Sequence, residues 1–304
     1  MATRKTVNVT EGPSPHSTRI ITCANHKGGT GKTTTAVNVS AGLALLKKQR
    51  VLLVDCDPRS HASTALGIDM QHVRYSVTDL LTGAIPDMQA LCWDPGANLH
   101  ILPAHATLTD VERDFERRGD GRLQLQQALH PLLHAFDVMV IDTPPTLGFW
   151  TQAPLVASTD LLIPVDMGSF AVAGMCQLLD ALARLRQEVP LMLATPHILL
   201  TKVDARTTLS AHVRALLRER GDAAALHTVI RVNVALARAQ MAHQSIFAYD
   251  RTSPGAQDYQ HVVEELLGHR RAVASSGPIR SLRHQRRGPT SVKAHQSGRA
   301  AHAD

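Results

Sequence analysis

Short apolar runs alternate along the chain with longer segments whose apolar residues recur at helical spacing. The short runs are rich in Val, Ile and Leu, which predicts buried β-strands. These predicted strands lie at 19–24, 51–54, 99–102, 138–141, 161–165 and 197–200. The helical segments lie at 33–47, 107–118, 122–134, 171–188, 207–220 and 255–268. Apolar strands separated by helices predict an α/β fold, a doubly wound and mostly parallel sheet with helices on both faces.

The two ends of the chain differ in composition from this α/β region. Residues 1–18 contain one glycine and two prolines and are predicted to be a disordered leader. The last predicted helix ends near Gly268, and residues 269–304 are rich in Arg, His, Ser and Gly with few large apolar side chains. This composition predicts a disordered basic tail. The chain is therefore predicted to hold one folded domain, 19–268, between two tails.

The net charge of +6 on the 304 residues is unevenly distributed. The predicted tail carries eight Lys or Arg residues and a single Asp, which leaves the first 268 residues close to neutral. The basic character of the chain therefore belongs to the tail, and it is no evidence for a DNA-binding face on the predicted domain.

Several protein classes are disfavoured by the sequence. No stretch approaches the roughly 20 uninterrupted apolar residues that span a membrane, and the N-terminus lacks the apolar segment of a secretory signal. The four cysteines are scattered and show no C-x-x-C spacing. This pattern favours reduced thiols over a disulfide framework or a zinc site.

The strongest chemical signal is the segment 25–35, NHKGGTGKTTT, which lies between the first predicted strand and the first predicted helix. A strand, a glycine-rich turn and a helix together aim backbone N–H groups and a helix N-terminus at a phosphate. Three glycines let the backbone approach that anion closely: Gly28, Gly29 and Gly31. Lys32 supplies a charge for the terminal phosphates, and the Thr33 hydroxyl can bind Mg²⁺. The segment predicts a nucleoside triphosphate site.

This phosphate loop departs from the strict pattern G-x-x-x-x-G-K-[ST], because His26 occupies the first glycine position and a second lysine, Lys27, begins the loop. The segment K-G-G-T-G-K-T resembles the deviant phosphate loop of the ParA/MinD superfamily of P-loop ATPases. The resemblance implies that Lys27 reaches across a dimer to the nucleotide of the partner subunit, and that the ligands are ATP and Mg²⁺. The implied ATP-binding residues are Lys27, Gly28, Gly29, Thr30, Gly31, Lys32, Thr33, Thr34 and Asn233.

Two further segments place carboxylates at the ends of predicted strands. The segment 55–59, DCDPR, follows the second strand, and the segment 141–145, IDTPP, ends the fourth. Ligands of open α/β sheets bind outside the carboxyl ends of the strands, so both segments are expected beside the phosphate loop. They resemble the D-x-D-P-Q segment and the Walker B and switch segments of the same superfamily.

That resemblance assigns roles to individual carboxylates. Asp57 is expected to organise Mg²⁺ and the attacking water, whereas Asp55 is expected to hold the loop in shape. The implied catalytic residues are Lys27 and Asp57, and the implied metal-binding residues are Thr33, Asp57 and Asp142. Arg59 stands where the family usually has glutamine.

Later segments extend the resemblance to ParA/Soj-type partition ATPases from about Arg19 to Leu267. At 228–236 the family pattern T-V-I-P-R-N-V-R-L has two arginines that contact DNA, and Val232 and Ala235 take their places here. Candidate DNA-binding residues are therefore other arginines nearby, namely Arg206, Arg214, Arg218, Arg231 and Arg238. A solvated helix face would have the same composition.

The resemblance implies a slow, partner-stimulated ATPase that dimerises on ATP and binds DNA without sequence preference. It would segregate a plasmid or chromosome with a ParB-like, centromere-binding partner, in the cytoplasm and on the nucleoid. A family-related ATPase that positions a protein cargo, or a MinD-like membrane switch, is the alternative. The tail offers only Ile279, Leu282 and Val292 for a membrane-binding helix face. An iron–sulfur reductase would need cysteines after the Walker B strand, and 142–150 has none.

Overall fold

A computed structural model of the chain describes residues 18–84, 91–94, 98–118, 121–168, 171–204 and 209–275. Within them, eight strands form one sheet: β1 Arg19–Cys23, β2 Val51–Asp55, β3 Cys92–Asp94, β4 Leu99–Leu102, β5 Val138–Asp142, β6 Asp160–Asp166, β7 His197–Val203 and β8 Ala224–Arg231. The strand order is β3-β4-β2-β5-β1-β6-β7-β8. All neighbours pair in parallel except β3, a short edge strand antiparallel to β4.

Helices cover both faces of the sheet, which confirms the predicted doubly wound α/β fold. In the described residues they are α1 Lys32–Lys47, α2 His61–Ala65, α3 Val77–Leu81, α4 Leu108–Arg118, α5 Gln124–Leu129, α6 Phe149–Ala157, α7 Ala171–Glu188, α8 Leu209–Arg220, α9 Val234–Met241, α10 Ile246–Tyr249 and α11 Pro254–Ser275. Successive strand residues point to opposite faces. Ile21 accordingly packs in the cluster with α1 and α11, and Ile20 in the cluster with α3, α5 and α6.

Helix α1 is held against the sheet by α11. A Cβ atom on Gly42 would lie 2.9 Å from Cγ2 of Val263 and 3.1 Å from a ring carbon of Phe247. Only a residue without a side chain lets the two helices approach this closely. Because α1 follows the glycine-rich loop directly, this packing holds in place the helix from whose first residue the loop extends.

The structure differs from the sequence prediction in several places, and the short elements β3, α2, α3, α6, α9 and α10 were not predicted. Strand β8 was not predicted, because it is an edge strand whose exposed and buried positions are mixed rather than uniformly apolar. The predicted helix 122–134 is a short α5 flanked by 3₁₀ turns, and Pro131 lies in the second turn, where it cannot donate a helical hydrogen bond. Helix α11 continues to Ser275 instead of ending near Gly268.

The predicted leader, apart from Thr18, and residues 276–304 of the tail lie outside the described residues. The division into a domain and two tails therefore stays a prediction. In the part of the chain that the structure describes, no helix is both long and apolar enough to cross a membrane.

Candidate functional site

The carboxyl ends of three central strands bring the predicted site residues to one edge of the sheet. Strand β5 lies between β2 and β1, and its last residue, Asp142, is in register with Cys23 on one side and Asp55 on the other. The glycine-rich loop after β1 and the carboxylates of β2 and β5 therefore converge. A cleft of about 530 Å³ lies at this edge, and its wall includes residues of the loop, of the β2 turn and of the β8–α9 region.

The backbone of the loop requires glycine at two positions. Gly29 has φ of 75° and Gly31 has φ of 90°, both in the left-handed region that side chains disfavour. Helix α1 begins immediately after Gly31. Its unsatisfied N–H groups thus face the loop, where an anion would complete their hydrogen bonds.

Neighbouring strands anchor the loop. The Asn25 amide donates to the carbonyl of Pro164 at 2.7 Å and accepts from the backbone N–H of Lys27 at 3.1 Å. From the end of β7, the Thr201 hydroxyl donates to the carbonyl of Thr30 at 2.8 Å. The adjacent Lys202 ammonium donates to the carbonyl of Gly29 at 2.6 Å. The loop is therefore held in place from β6 and β7.

Lys32 lies almost fully buried in the cleft wall, and its ammonium donates to the carbonyl of Lys27 at 3.0 Å. Burial lowers the pKa of Lys32, and the charges of Asp142 and Asp57 partly offset that effect. A phosphate bound in the loop would favour the charged ammonium form and satisfy its remaining donors.

Asp142 is fully buried and only half satisfied. One carboxylate oxygen accepts from the Thr33 hydroxyl at 2.7 Å, whereas Oδ1 is buried and has no hydrogen-bond partner among the described residues. Burial raises the pKa of Asp142 well above its usual range, and the charge of Asp55 raises it further. An unpartnered carboxylate oxygen beside a hydroxyl fits a hard divalent cation such as Mg²⁺.

A magnesium ion at this position would need ligands beyond the protein. The described residues contain no group of three or more His, Cys, Asp or Glu side chains placed to hold a metal ion. Mg²⁺ commonly keeps several waters and binds substrate phosphates, with one or two protein groups completing its shell. Thr33 and Asp142 are close enough together to serve as those groups.

The two aspartates after β2 have different environments. Asp55 accepts hydrogen bonds from the backbone N–H of Asp57 and from both the N–H and the hydroxyl of Ser63, so it fixes the turn. Burial is the main cause that raises the pKa of Asp55 to about 6. Asp57 lines the cleft, where its carboxylate contacts Arg59 Nε at 3.3 Å and His61 Nδ1 at 3.2 Å.

Lys27 points to a partner within its own subunit. Its ammonium lies 3.1 Å from Oδ1 and 3.2 Å from Oδ2 of Asp166, at the end of β6. The side chain of Lys27 is nevertheless 30% exposed. Lys27 thus stands at the surface beside the loop and does not fold into the cleft as Lys32 does.

Asn233, which lines the cleft, carries a second unsatisfied group. Its side-chain oxygen caps α9 by accepting from the N–H of Ala235 at 2.8 Å. The amide nitrogen is buried and has no hydrogen-bond partner in the described part of the chain. A Cβ atom on Gly255 would lie 2.8 Å from that nitrogen, so α11 must carry a glycine here. Asn233 therefore has a free donor and lines the same cleft as the loop.

Comparisons with known proteins agree with this geometry. A family model described as an AAA domain matches residues 18–195. The chromosome-partitioning ATPase Soj of Thermus thermophilus is 37% identical over 249 residues, which are 82% of this chain and 95% of that protein. The chain belongs to the ParA/Soj family of partition ATPases.

Two further matches add to this assignment. The sporulation initiation inhibitor protein Soj of Bacillus subtilis is 35% identical over 248 residues, 82% of this chain and 98% of that protein. Among solved structures, cobyrinic acid a,c-diamide synthase from Mycobacterium smegmatis with a bound ATP analog and magnesium superposes with a TM-score of 0.72. That protein is 31% identical and the match covers 84% of this chain and 96% of that one. Proteins with different names thus share this ATPase fold.

The candidate DNA-binding arginines of this ParA/Soj-family chain fall into separate places. Arg206 lies outside the described residues, and the side chain of Arg214 on α8 is also outside them. Arg218 is exposed on α8 and Arg238 is exposed on α9. Arg231, at the end of β8, makes a bidentate ion pair with Asp258, with a shortest distance of 2.7 Å.

Sequence reasoning did not identify the groups that hold the loop from outside. Lys202, Asp166 and His61 contact the loop or the carboxylate of Asp57, yet none had been singled out. A usable signal existed, because each follows or ends a strand that points to the same edge of a parallel sheet. Lys202 also has φ of 53°, a left-handed conformation that a lysine rarely adopts and that the sequence does not reveal.

Proposed function

We propose that this ParA/Soj-family ATPase binds ATP with Mg²⁺ in the cleft, dimerises around it, and uses slow hydrolysis as a switch in segregating a plasmid or chromosome. The observation that carries the proposal is the half-satisfied carboxylate of Asp142. It accepts a hydrogen bond from the Thr33 hydroxyl, and Thr33 and Lys32, at the N-terminus of α1, both line the cleft. A triphosphate with its metal supplies the charge and hydrogen-bond partners that these groups lack.

Roles for the remaining residues follow from their positions. Lys32 and the N–H groups of residues 28–34 would hold the phosphates, since they face the cleft at the start of α1. Mg²⁺, when bound, would neutralise phosphate charge from between Thr33 and Asp142, with Asp57 holding its water shell and orienting the attacking water. Asn233 would donate its free amide hydrogens to the base or ribose. Catalysis of this kind rests on positioning and on charge neutralisation.

Dimerisation is proposed from the place of Lys27. The lysine stands at the surface beside the loop, where a second subunit can receive it. To act in trans, its ammonium must exchange the carboxylate of Asp166 for a phosphate of the partner's nucleotide. Both partners are anions, so Lys27 keeps a charge-assisted contact after the exchange.

We extend the proposal to DNA, to a partner protein and to location through family membership. Relatives are named as chromosome-partitioning proteins. By analogy, this chain would bind DNA without sequence preference when ATP is bound, and a ParB-like, centromere-binding protein would stimulate its hydrolysis. It would act in the cytoplasm on the nucleoid. A protein cargo in place of DNA is the second candidate. Val232 stands at a position where the family has a DNA-contacting arginine, and it is exposed together with Val234, so this surface is apolar.

A direct test of the nucleotide site compares two lysines of helix α1. Lys32→Ala removes the buried ammonium of the loop and should abolish binding of a fluorescent ATP analogue in the presence of Mg²⁺. Lys47→Ala is the matched control, because Lys47 is at the other end of the helix in a surface pair with Glu264 at 3.2 Å. Wild-type affinity in Lys32→Ala would refute the site.

A second test separates the two candidate cargoes. DNA binding is measured by a gel or anisotropy assay on unrelated duplexes with ATP, with ADP and without nucleotide. The DNA proposal requires ATP-dependent binding that is equal across sequences and weakens with salt. Absence of DNA binding in all three states, with ATP binding intact, would favour a protein cargo.

A further inference from the structure

Arg59 is an arginine in the nucleotide cleft whose hydrogen-bonding capacity is only partly used. It follows Asp57 by two residues, and its Nε lies 3.3 Å from Oδ1 of that aspartate. Its backbone N–H bonds to the same oxygen at 3.0 Å, which sets the direction in which the side chain leaves the turn. The guanidinium carries four further N–H donors on its two terminal nitrogens, and none has a hydrogen-bond partner among the described residues.

Other cations of the cleft are already engaged. Lys202 bonds to the carbonyl of Gly29, and Arg231 is paired with Asp258. Arg59 is 58% exposed and lines the same cleft as the loop glycines, Lys32 and Thr33. Arg59 therefore shares one cleft with the residues that begin helix α1.

We propose that Arg59 acts in cis as a catalytic residue of this chain, by donating its terminal N–H groups to the γ-phosphate as charge builds up during hydrolysis. The inference rests on the proposed ATPase function and adds a residue to it. It concerns a position where the family resemblance leads us to expect a glutamine, which carries no charge.

The chemistry of the step explains why an arginine matters here. The water oxygen forms a bond to the γ-phosphorus while the bond to the β,γ-bridging oxygen breaks. That electron pair leaves with ADP, and the water proton passes to the released phosphate. Charge spreads over the γ-phosphate oxygens in the transition state, and a planar guanidinium can donate to two of them at once. With Nε on Asp57 and its terminal nitrogens on phosphate, Arg59 would connect the water-orienting carboxylate to the transferring group.

The proposal is tested by comparing affinities for a ground-state and a transition-state ligand. ADP·Mg²⁺ and ADP·Mg²⁺ with aluminium fluoride are titrated into wild-type, Arg59→Gln, Arg59→Ala and Arg59→Lys proteins. We expect Arg59→Gln and Arg59→Ala to lose about 100- to 1,000-fold in affinity for the fluoride complex, the usual effect of removing one transition-state donor. ADP affinity should change by less than about threefold, and Arg59→Lys should recover part of the loss, because lysine keeps the charge but not the fork.

Two controls define the alternatives. Arg50→Gln removes another exposed arginine that pairs with an aspartate, Asp137 at 2.7 Å, at the opposite edge of the sheet, and it should leave both affinities unchanged. His61→Gln removes the other side chain that contacts Asp57. An Arg59→Gln protein with wild-type affinity for the fluoride complex overturns the proposal. Equal losses in Arg59→Gln and His61→Gln also overturn it, because Arg59 would then act only through Asp57.

The same titration keeps this proposal separate from the proposed function. If wild-type protein binds ADP·Mg²⁺ and the fluoride complex, the nucleotide site stands whatever the Arg59 variants do. If wild-type protein binds neither ligand, the nucleotide site itself is refuted, and the role of Arg59 with it.

Discussion

Asp142→Asn should make the nucleotide-free protein more stable while impairing the site. In the wild type, Asp142 is fully buried, and its register partner on the adjacent strand is Asp55, which is also fully buried. Adjacent strands lie about 4.8 Å apart, so two carboxylates about 5–6 Å apart would repel by about 3 kcal/mol at an effective dielectric constant of about 20. An asparagine keeps an oxygen that can accept from the Thr33 hydroxyl and carries no charge. We expect a gain of about 2–3 kcal/mol in the free energy of unfolding.

The pH dependence of this gain provides the sharper test. The pKa of Asp142 is raised in the folded protein, so the contribution of this group to stability is fully present below the unfolded pKa of about 3.9 and is lost as pH rises through the folded pKa. The variant should therefore match the wild type near pH 4 and exceed it increasingly at higher pH. Thermal unfolding between pH 4 and 8 should show a difference of about 5–10 °C at the upper end.

Bound nucleotide should make the wild type more stable than the Asp142→Asn variant. Bound Mg²⁺ and nucleotide stabilise a folded protein in proportion to the logarithm of ligand concentration over Kd. ADP·Mg²⁺ should therefore raise the melting temperature of the wild type much more than that of Asp142→Asn. A variant that is less stable than the wild type at pH 8 without nucleotide would refute the reasoning. So would a difference that does not change with pH.

Three further predictions concern the turnover step, the fold and the tail. Asp57→Ala should retain ATP binding but release phosphate more slowly in a steady-state assay. Sedimentation should show a larger fraction of dimers with ATP. Turnover at the wild-type rate would exclude Asp57 from the mechanism. In the wild type the buried Arg19 lies 2.6 Å from the Asp160 carboxylate. Asp160→Asn should lose about 3 kcal/mol of stability, because the buried charge of Arg19 then has no carboxylate to pair with. Burial alone would raise the pKa of Asp160, but the Arg19 contacts outweigh it and the net shift is downward, so the deficit measured by denaturant unfolding should shrink below about pH 4. The control is Asp137→Asn, which removes a carboxylate from an exposed ion pair and should cost less than about 1 kcal/mol. Equal losses of stability in Asp137→Asn and Asp160→Asn would contradict the argument. Deletion of residues 269–304 should lower the slope of log DNA affinity against log salt by several units, at roughly 0.9 per phosphate contact. ATP turnover without DNA should stay unchanged. An unchanged slope would exclude the tail from DNA binding.

The central strands and the phosphate loop were predictable because their signals are local. β1, β2 and β5 are buried on both faces, so each is a continuous apolar run in the sequence. The loop is recognisable from consecutive residues, since glycine and lysine have to stand at fixed positions along it. Edge strand β8 has no such signal, because its outer positions are solvent-exposed and take polar residues.

The contacts that complete the site could not be predicted in the same way. Lys27 meets Asp166, and Lys202 meets Gly29, across more than a hundred residues of sequence. Such pairs depend on which strand lies next to which, and strand order is a property of the whole sheet. Sequence reasoning placed residues at the correct edge but could not say which ones would touch.

The buried charges link the stability of this site to its proposed use as a switch. Asp55, Asp142 and Lys32 are buried, and burial shifts the pKa of each toward its neutral form, so the nucleotide-free site is held at a cost in folding free energy. In the proposed function, a bound nucleotide and cation would remove that cost by supplying opposite charges. Ligand binding at the ends of β2 and β5 would therefore act at the same edge of the sheet as β7, which anchors the loop, and β6, which anchors the surface lysine. Loss of the γ-phosphate would change the contacts at the same edge of the sheet where Lys27 meets a second subunit. Hydrolysis would thereby be coupled to dimerisation, as a nucleotide-dependent dimer requires.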